Sequence, residues 1–178
     1  MSMNLANWLT LLRLCLVPLV VVAITQHRFD LAFAAFVVAG LTDAIDGYVA
    51  RTFDQMTELG ALLDPIADKS LLVSIFITLG ILGLIPVWLV ILVVARDMMI
   101  VGAVIISWIL DNPVEIRPLY VSKANTFAQI SFAAYTLGTL SFFEKNATVD
   151  MLMIAIVCTL TLASIAAYLS GWLKHMTE

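Results

Sequence analysis

Asp43-Ala44-Ile45-Asp46-Gly47-Tyr48-Val49-Ala50-Arg51, then eight residues, then Gly60-Ala61-Leu62-Leu63-Asp64-Pro65-Ile66-Ala67-Asp68: this stretch sets four carboxylates within two apolar runs. The runs extend from about Leu31 to Ala50 and from about Leu59 to Leu82, with polar Arg51–Glu58 between them. Each is continuous rather than alternating with period two, so helices are favoured over a barrel. On a helix Asp43, Asp46, Gly47 and Ala50 fall at i, i+3, i+4 and i+7, which is one face. Gly60, Asp64 and Asp68 fall at i, i+4 and i+8, again one face. The short connection makes the two helices antiparallel neighbours, so both acidic ends meet at one end of the bundle.

The rest of the chain repeats the apolar theme. Of its 178 residues 62% are hydrophobic and 12% charged, with a mean hydropathy of +1.05. A soluble domain carries about 25% charged residues, so a soluble enzyme, a disordered tail and a fibrous repeat are all excluded. At roughly 20 residues per span there is room for six: Leu9–Ile24, Leu31–Ala50, Leu59–Leu82, Val87–Leu110, Lys123–Phe143 and Met151–Leu173. Residues 2–8 read as a short interfacial lead-in with Trp8 at headgroup depth. The expected fold is an all-α, polytopic six-helix bundle, one domain over residues 1–178.

Charge distribution orients this bundle. Arg51, Arg117, Lys123 and Lys174 fall on the side of the termini, against Arg28 and Lys145 opposite. The termini are therefore expected on the cytoplasmic or matrix side of a multi-pass protein of the cell inner membrane or mitochondrial inner membrane type. A net charge of −4 argues against nucleic acid as a partner. No basic n-region or small-residue cleavage site marks a removable signal peptide. Cys15 and Cys158 read as small core residues in two different helices.

Four carboxylates in one low-dielectric pocket repel unless cations neutralise them. Hard oxygen ligands suit Mg²⁺ or Mn²⁺, and their number suits a pair of ions. Gly47, Ala50 and Gly60 keep bulk off the same faces, and Arg51 is placed to meet a phosphate. Together these residues describe a site for a diphosphate, with one carboxylate left over as general base. The competing reading, from another class, is a small carrier or ion pathway lined by intramembrane carboxylates. It gives no role to Arg51 or the glycines.

The window also resembles, at every signature position, the motif D-x2-D-G-x2-A-R-x8-G-x3-D-x3-D of the CDP-alcohol phosphotransferases. That resemblance implies an enzyme that attacks CDP-diacylglycerol with an alcohol and releases CMP. It implies Asp43, Asp46 and Asp64 as metal ligands, and Asp68 as a ligand that also serves as catalytic base. It implies Gly47, Ala50 and Gly60 around the cytidine, with Asp46 beside them and Arg51 on the phosphates. It further implies a homodimer among membrane lipids.

For the acceptor, Asn4, Asn7, Leu9, Thr10 and Arg13 resemble the N-x2-N-x-L-T-x2-R opening of two branches. One branch uses glycerol 3-phosphate and makes phosphatidylglycerophosphate. The other, the eukaryotic-type cardiolipin synthase branch, uses phosphatidylglycerol. Arg96-Asp97 resembles the cardiolipin branch, where the other shows Arg-Glu and a second Arg eight residues on; that position here is Val104. A missing cation suits a phosphodiester, with one negative charge, over a phosphomonoester with nearly two. Ser122-Lys123-Ala124-Asn125-Thr126 resembles S-K-x-N-T of the same branch. Phosphatidylglycerol is thus the favoured acceptor and glycerol 3-phosphate the alternative, with Arg96, Lys123 and Arg13 as candidate acceptor or phosphate contacts. The Met-rich sixth span reads as packing or a dimer face.

Overall fold

In the computed structural model the chain is helical, with no strand among the described residues. The structure describes the backbone of residues 5–53, 58–109 and 120–177, and the side chains of residues 14–42, 69–102 and 120–173. The helices are α1 (Leu5–Thr25), α2 (Phe29–Phe53), α3 (Glu58–Ile81), α4 (Val87–Ile109), α5 (Tyr120–Ser141) and α6 (Ala147–Thr177). Their bounds follow the apolar runs to within a few residues. The largest difference is at the start, where α1 already runs through Trp8. Nothing in Ala6–Leu9 breaks a helix, so the expected lead-in is continuous with the first span. The polar connections at residues 54–57 and 110–119 lie outside the described residues.

Two helix ends show how the chain turns. Thr25 closes α1, after which His27 takes φ 57°, its N–H on the Ile24 carbonyl at 3.0 Å and the Arg28 N–H on Ala23 at 2.8 Å. Gly83 does the same after α3, at φ 69°, with its own N–H on Gly80 at 3.0 Å and the Leu84 N–H on Leu79 at 2.9 Å. Both are Schellman ends, in which a left-handed residue lets two amides satisfy the helix's last carbonyls. Only the second uses the residue that takes this backbone without strain. At the other kind of terminus, Asn146 Oδ1 accepts from the N–H groups of Thr148 and Val149 at 3.0 and 3.4 Å, which caps α6.

The chain divides into two compact units. Unit 1 comprises Met1–Leu84 and Ala133–Lys145; unit 2 comprises Ile85–Phe132 and Asn146–Glu178. In unit 1, α1 packs on both α2 and α3. Its stripe Val20, Ala23 and Ile24 is buried, as are Ala32, Ala35, Phe36 and Ala39 of α2 and Leu71, Ile75, Phe76 and Leu79 of α3. These positions recur at three- and four-residue spacing, the pattern of one buried helix face. The alanines let backbones approach closely, which matters where lipid removes the hydrophobic drive between helices. Gly138 faces the Phe33 ring, which itself meets Phe142 edge-on at 5.7 Å. In unit 2, α4 packs on α6 through Leu89, Val93 and Val157.

The outward faces are apolar. Ile81, Phe127 and Met151 are 80%, 72% and 73% exposed. Within α6, Ala147–Leu173 is an apolar stretch of 27 residues, long enough to cross a membrane. It is the one such helix among the described residues; Leu14–Thr25, Phe29–Thr42 and Lys69–Ile81 are shorter apolar stretches. Cys15 lies on this outer surface and Cys158 is half-buried, so the expectation that both are core residues fails. A thiol is apolar enough to face lipid as readily as a core.

Candidate functional site

The carboxylates of the quoted window lie on two continuous helices. Asp43, Asp46, Gly47, Ala50 and Arg51 belong to α2, and Gly60, Asp64 and Asp68 to α3. Helical continuity keeps Asp43 and Asp46 one turn apart, and Asp64 and Asp68 likewise. The side chains of these residues, and of Arg13 on α1, lie outside the described residues. As a donor set, four carboxylates on unbroken helices fit a hard divalent cation. Among the described residues no group of three or more His, Cys, Asp or Glu side chains is placed to hold a metal ion.

Where side chains are described, the chemistry centres on Arg96 of α4. Leu89, Val93 and Arg96 succeed one another at four and three residues along one face, so the core stripe of α4 ends in a guanidinium that is 2% exposed. A buried cation is costly unless paired and hydrogen-bonded, and Arg96 is both. Nη1 meets Asp97 Oδ1 at 2.6 Å. Nε and Nη2 donate to Ser164 Oγ of α6 at 3.0 and 2.8 Å. Nη2 also donates to Ser122 Oγ of α5. The guanidinium carbon lies 5.8 Å from the centre of the Tyr168 ring, within cation–π range. Neighbouring residues point about 100° apart on a helix, so the Arg96–Asp97 contact depends on the reach of the arginine stem.

One turn further along α5 and α6 lies a second layer. Thr161 is fully buried, its hydroxyl 2.9 Å from Asn125 Oδ1 and 2.7 Å from the Val157 carbonyl, one hydrogen shared between two acceptors. One turn beyond that lies Gln129, 2% exposed. The amide nitrogens of Asn125 and Gln129 have no hydrogen-bond partner among the described residues. Ser122, Asn125 and Gln129 thus mark one stripe of α5, and Thr161, Ser164 and Tyr168 one stripe of α6.

Sequence reasoning singled out Arg96 and Asp97, and the structure brings them together. It places Lys123 in an exposed position, one residue beyond Ser122. Thr161, Ser164 and Tyr168 were missed because the sixth span read as packing, and Gln129 of α5 was missed because a lone amide carries no charge to mark it. On α6 a signal was there: three polar residues at i, i+3 and i+7 on an otherwise apolar helix mark an inward face.

Among the described residues many large apolar side chains are exposed, as on a surface that meets lipid. The chain belongs to the CDP-alcohol phosphatidyltransferases, whose family model matches residues 3–170. The family is membrane-bound and generally dependent on divalent metal. Among curated relatives, human cardiolipin synthase (CMP-forming) is 30% identical over 178 residues, covering 91% of this chain and 59% of its own length. The rat protein of the same name is 32% identical, with 91% and 58% covered. The probable phosphatidylglycerophosphate synthase of Mycobacterium tuberculosis is 38% identical over 132 residues, covering 71% of this chain and 62% of its own length. The chain therefore spans about three-fifths of the length of these relatives.

Proposed function

We propose that this protein transfers a phosphatidyl group from CDP-diacylglycerol to phosphatidylglycerol, releasing CMP and forming cardiolipin. The observation that carries the choice of acceptor is the state of Arg96. It is the one buried charged side chain among the described residues, and a carboxylate already takes part of its charge. A site of that kind suits the single negative charge of a phosphodiester. A phosphomonoester with nearly two charges calls for a second cation, and the position eight residues on is Val104. The human and rat cardiolipin synthases among the relatives support the same choice. The mycobacterial relative supports the runner-up, synthesis of phosphatidylglycerophosphate from glycerol 3-phosphate. Family membership leaves the carrier reading without support.

In this reading Asp43, Asp46, Asp64 and Asp68 hold Mg²⁺ or Mn²⁺, two ions by the number of carboxylates. The metal supplies charge stabilisation on the attacked phosphoryl group. Gly47, Ala50 and Gly60 leave room for the cytidine beside Asp46, and Arg51 meets the donor phosphates. Arg96 binds the acceptor phosphate, with Lys123 and Arg13 as further contacts. Asp68 takes the proton from the acceptor hydroxyl. That oxygen forms its bond to the phosphorus carrying diacylglycerol, the bond from that phosphorus to CMP breaks, and CMP leaves. Both lipids reach the protein from the bilayer. The same proposal includes six spans, one domain over residues 1–178, a homodimer, and chemistry on the cytoplasmic or matrix side.

The test is CMP release by the protein in micelles with CDP-diacylglycerol and Mg²⁺ or Mn²⁺, offering phosphatidylglycerol and glycerol 3-phosphate separately. Turnover with phosphatidylglycerol alone is expected. Turnover with glycerol 3-phosphate alone would overturn the acceptor assignment and leave the transfer chemistry intact. Chelation should stop release, and added metal should restore it.

A further inference from the structure

The polar layers of unit 2 continue past the arginine that the proposed reaction needs. Ser122, Asn125 and Gln129 descend one face of α5, a rise of about 10 Å over seven residues. The first joins the Arg96 cluster. The second is gripped through Oδ1 by Thr161, which fixes its amide and leaves Nδ2 without a partner among the described residues. The third, Gln129, is 2% exposed and its Nε2 is equally without one. Native proteins rarely leave buried donors unsatisfied, and each case calls for an explanation. Two of them in line with a buried guanidinium make a graded set of donors: charged at one end, neutral below.

We propose that the amide N–H groups of Asn125 and Gln129 form a subsite for the acyl ester carbonyls of the acceptor phospholipid. This rests on the phosphatidylglycerol reading above. A diacyl phospholipid carries its phosphate at one end of the glycerol and ester carbonyls below it, toward the acyl chains. Those carbonyls accept hydrogen bonds and donate none. The chain offers the complement, donors with no acceptor, strung below a cation that takes the phosphate. Glycerol 3-phosphate has no ester, so the same amides separate a lipid acceptor from a soluble one. Asn125 and Gln129 are on this view specificity-determining residues, and Thr161 positions Asn125.

The experiment compares diester phosphatidylglycerol with its diether analogue, which keeps the headgroup and loses both carbonyls. Diester CDP-diacylglycerol is the donor throughout, and the wild-type protein and Gln129→Met are assayed for CMP release in micelles. In the wild type KM for the diether acceptor should rise about five- to tenfold, the worth of one or two neutral hydrogen bonds. In Gln129→Met the two acceptors should become nearly equal, with KM for CDP-diacylglycerol unchanged. A merely structural glutamine would not tell ester from ether. Equal use of both acceptors by the wild type would overturn the subsite while leaving cardiolipin synthesis standing. A shift confined to KM for CDP-diacylglycerol would also overturn it, by giving the amides to the donor lipid. Use of glycerol 3-phosphate alone would remove the acceptor reading and the subsite together.

Discussion

The two units bury different kinds of atoms. Among the described residues unit 1 buries aliphatic and aromatic side chains, with Thr78 and Thr136 as its buried polar residues. Thr78 returns its hydrogen to its own helix, on the Ser74 carbonyl at 2.6 Å. Unit 2 buries Arg96, Asn125, Gln129, Thr161 and Ser164, and bonds from Arg96 to Ser164 and from Thr161 to Asn125 run from helix to helix. A hydroxyl bonded within its own helix asks nothing of its neighbours. A guanidinium satisfied by three helices makes each of them necessary to the others. The polar core of unit 2 is therefore specific in a way the apolar core of unit 1 is not, and the reaction proposed above gives that specificity a use.

The largest effects should come from the carboxylates on α2 and α3. Asp43→Asn and Asp68→Asn should each lower CMP release by at least about 10²-fold, in keeping with loss of a metal ligand or general base. The protein should remain folded by size-exclusion profile and thermal unfolding in detergent. A variant that turns over normally at saturating metal would remove that aspartate from the site. Either result also sharpens the contrast between the units, because it asks whether unit 1 contributes chemistry or only a frame.

Next comes the comparison of buried hydroxyls. Ser164→Ala removes two hydrogen bonds from a buried cation, and bonds to charged groups are worth roughly 1.5–3 kcal/mol. A loss of about 2 kcal/mol is expected, with weaker turnover from a misplaced Arg96. Thr78→Val in unit 1 removes a bond made within one helix turn and should cost less than about 0.5 kcal/mol. Denaturant or thermal unfolding in micelles checks both. Equal costs would break the distinction on which the comparison rests.

The two Schellman ends, both in unit 1, give a smaller and opposed pair. Gly83 adopts the left-handed backbone freely, and Gly83→Ala should cost about 1 kcal/mol. His27 adopts it under strain, eased in part by the edge-on contact of its ring with Phe29 at 5.7 Å. His27→Gly should therefore stabilise by up to about 1 kcal/mol. Melting temperatures of the two variants should move in opposite directions.

How much of this was legible in the sequence differs between the units. The apolar runs gave all six helices, because continuous hydrophobicity bounded by Gln26–Arg28, Gly83–Pro86 and Glu144–Asn146 leaves little choice of where a helix stops. The aspartate window stands out in the sequence by its spacing, since carboxylates at helical intervals in apolar sequence are costly, and the structure adds that each pair lies on an unbroken helix. The polar stripe of α6 was not. Thr161 and Ser164 can each return a hydrogen to their own backbone, so in a sequence they look like ordinary tolerated residues. Only the placement of Arg96 and Asn125 against them turns two hydroxyls into links between helices. Gln129 was hidden for a similar reason: an amide reads as neutral until its burial and missing partner are seen. Arg96 and Asp97 drew attention through charge, which burial makes expensive enough to notice in any context.

The smallest effect expected lies at the start of α2, in unit 1, on the exposed surface. Arg28 approaches Asp30 through Nε at 3.3 Å and Nη2 at 3.4 Å, with side chains 61% and 56% exposed. The hydrogen bonds from the Arg28 guanidinium, and then that from the Leu31 backbone N–H, hold the Asp30 carboxyl below its ordinary value. A carboxyl depressed in the folded state contributes stability above its unfolded value, about 3.9. That contribution fades as pH falls through the lower folded value. Asp30→Asn should therefore melt slightly below the wild type near pH 6, and the gap should close as the pH drops below about 4. Salt should narrow it at pH 6, since exposed pairs are screened. A gap that persists at low pH would mean that Asp30 acts through the neutral cap it offers Leu31, a role asparagine fills less well, and that the charge on this surface matters little. Set beside Arg96, the pair shows the same two ion types giving large or negligible effects according to whether water can replace the partner.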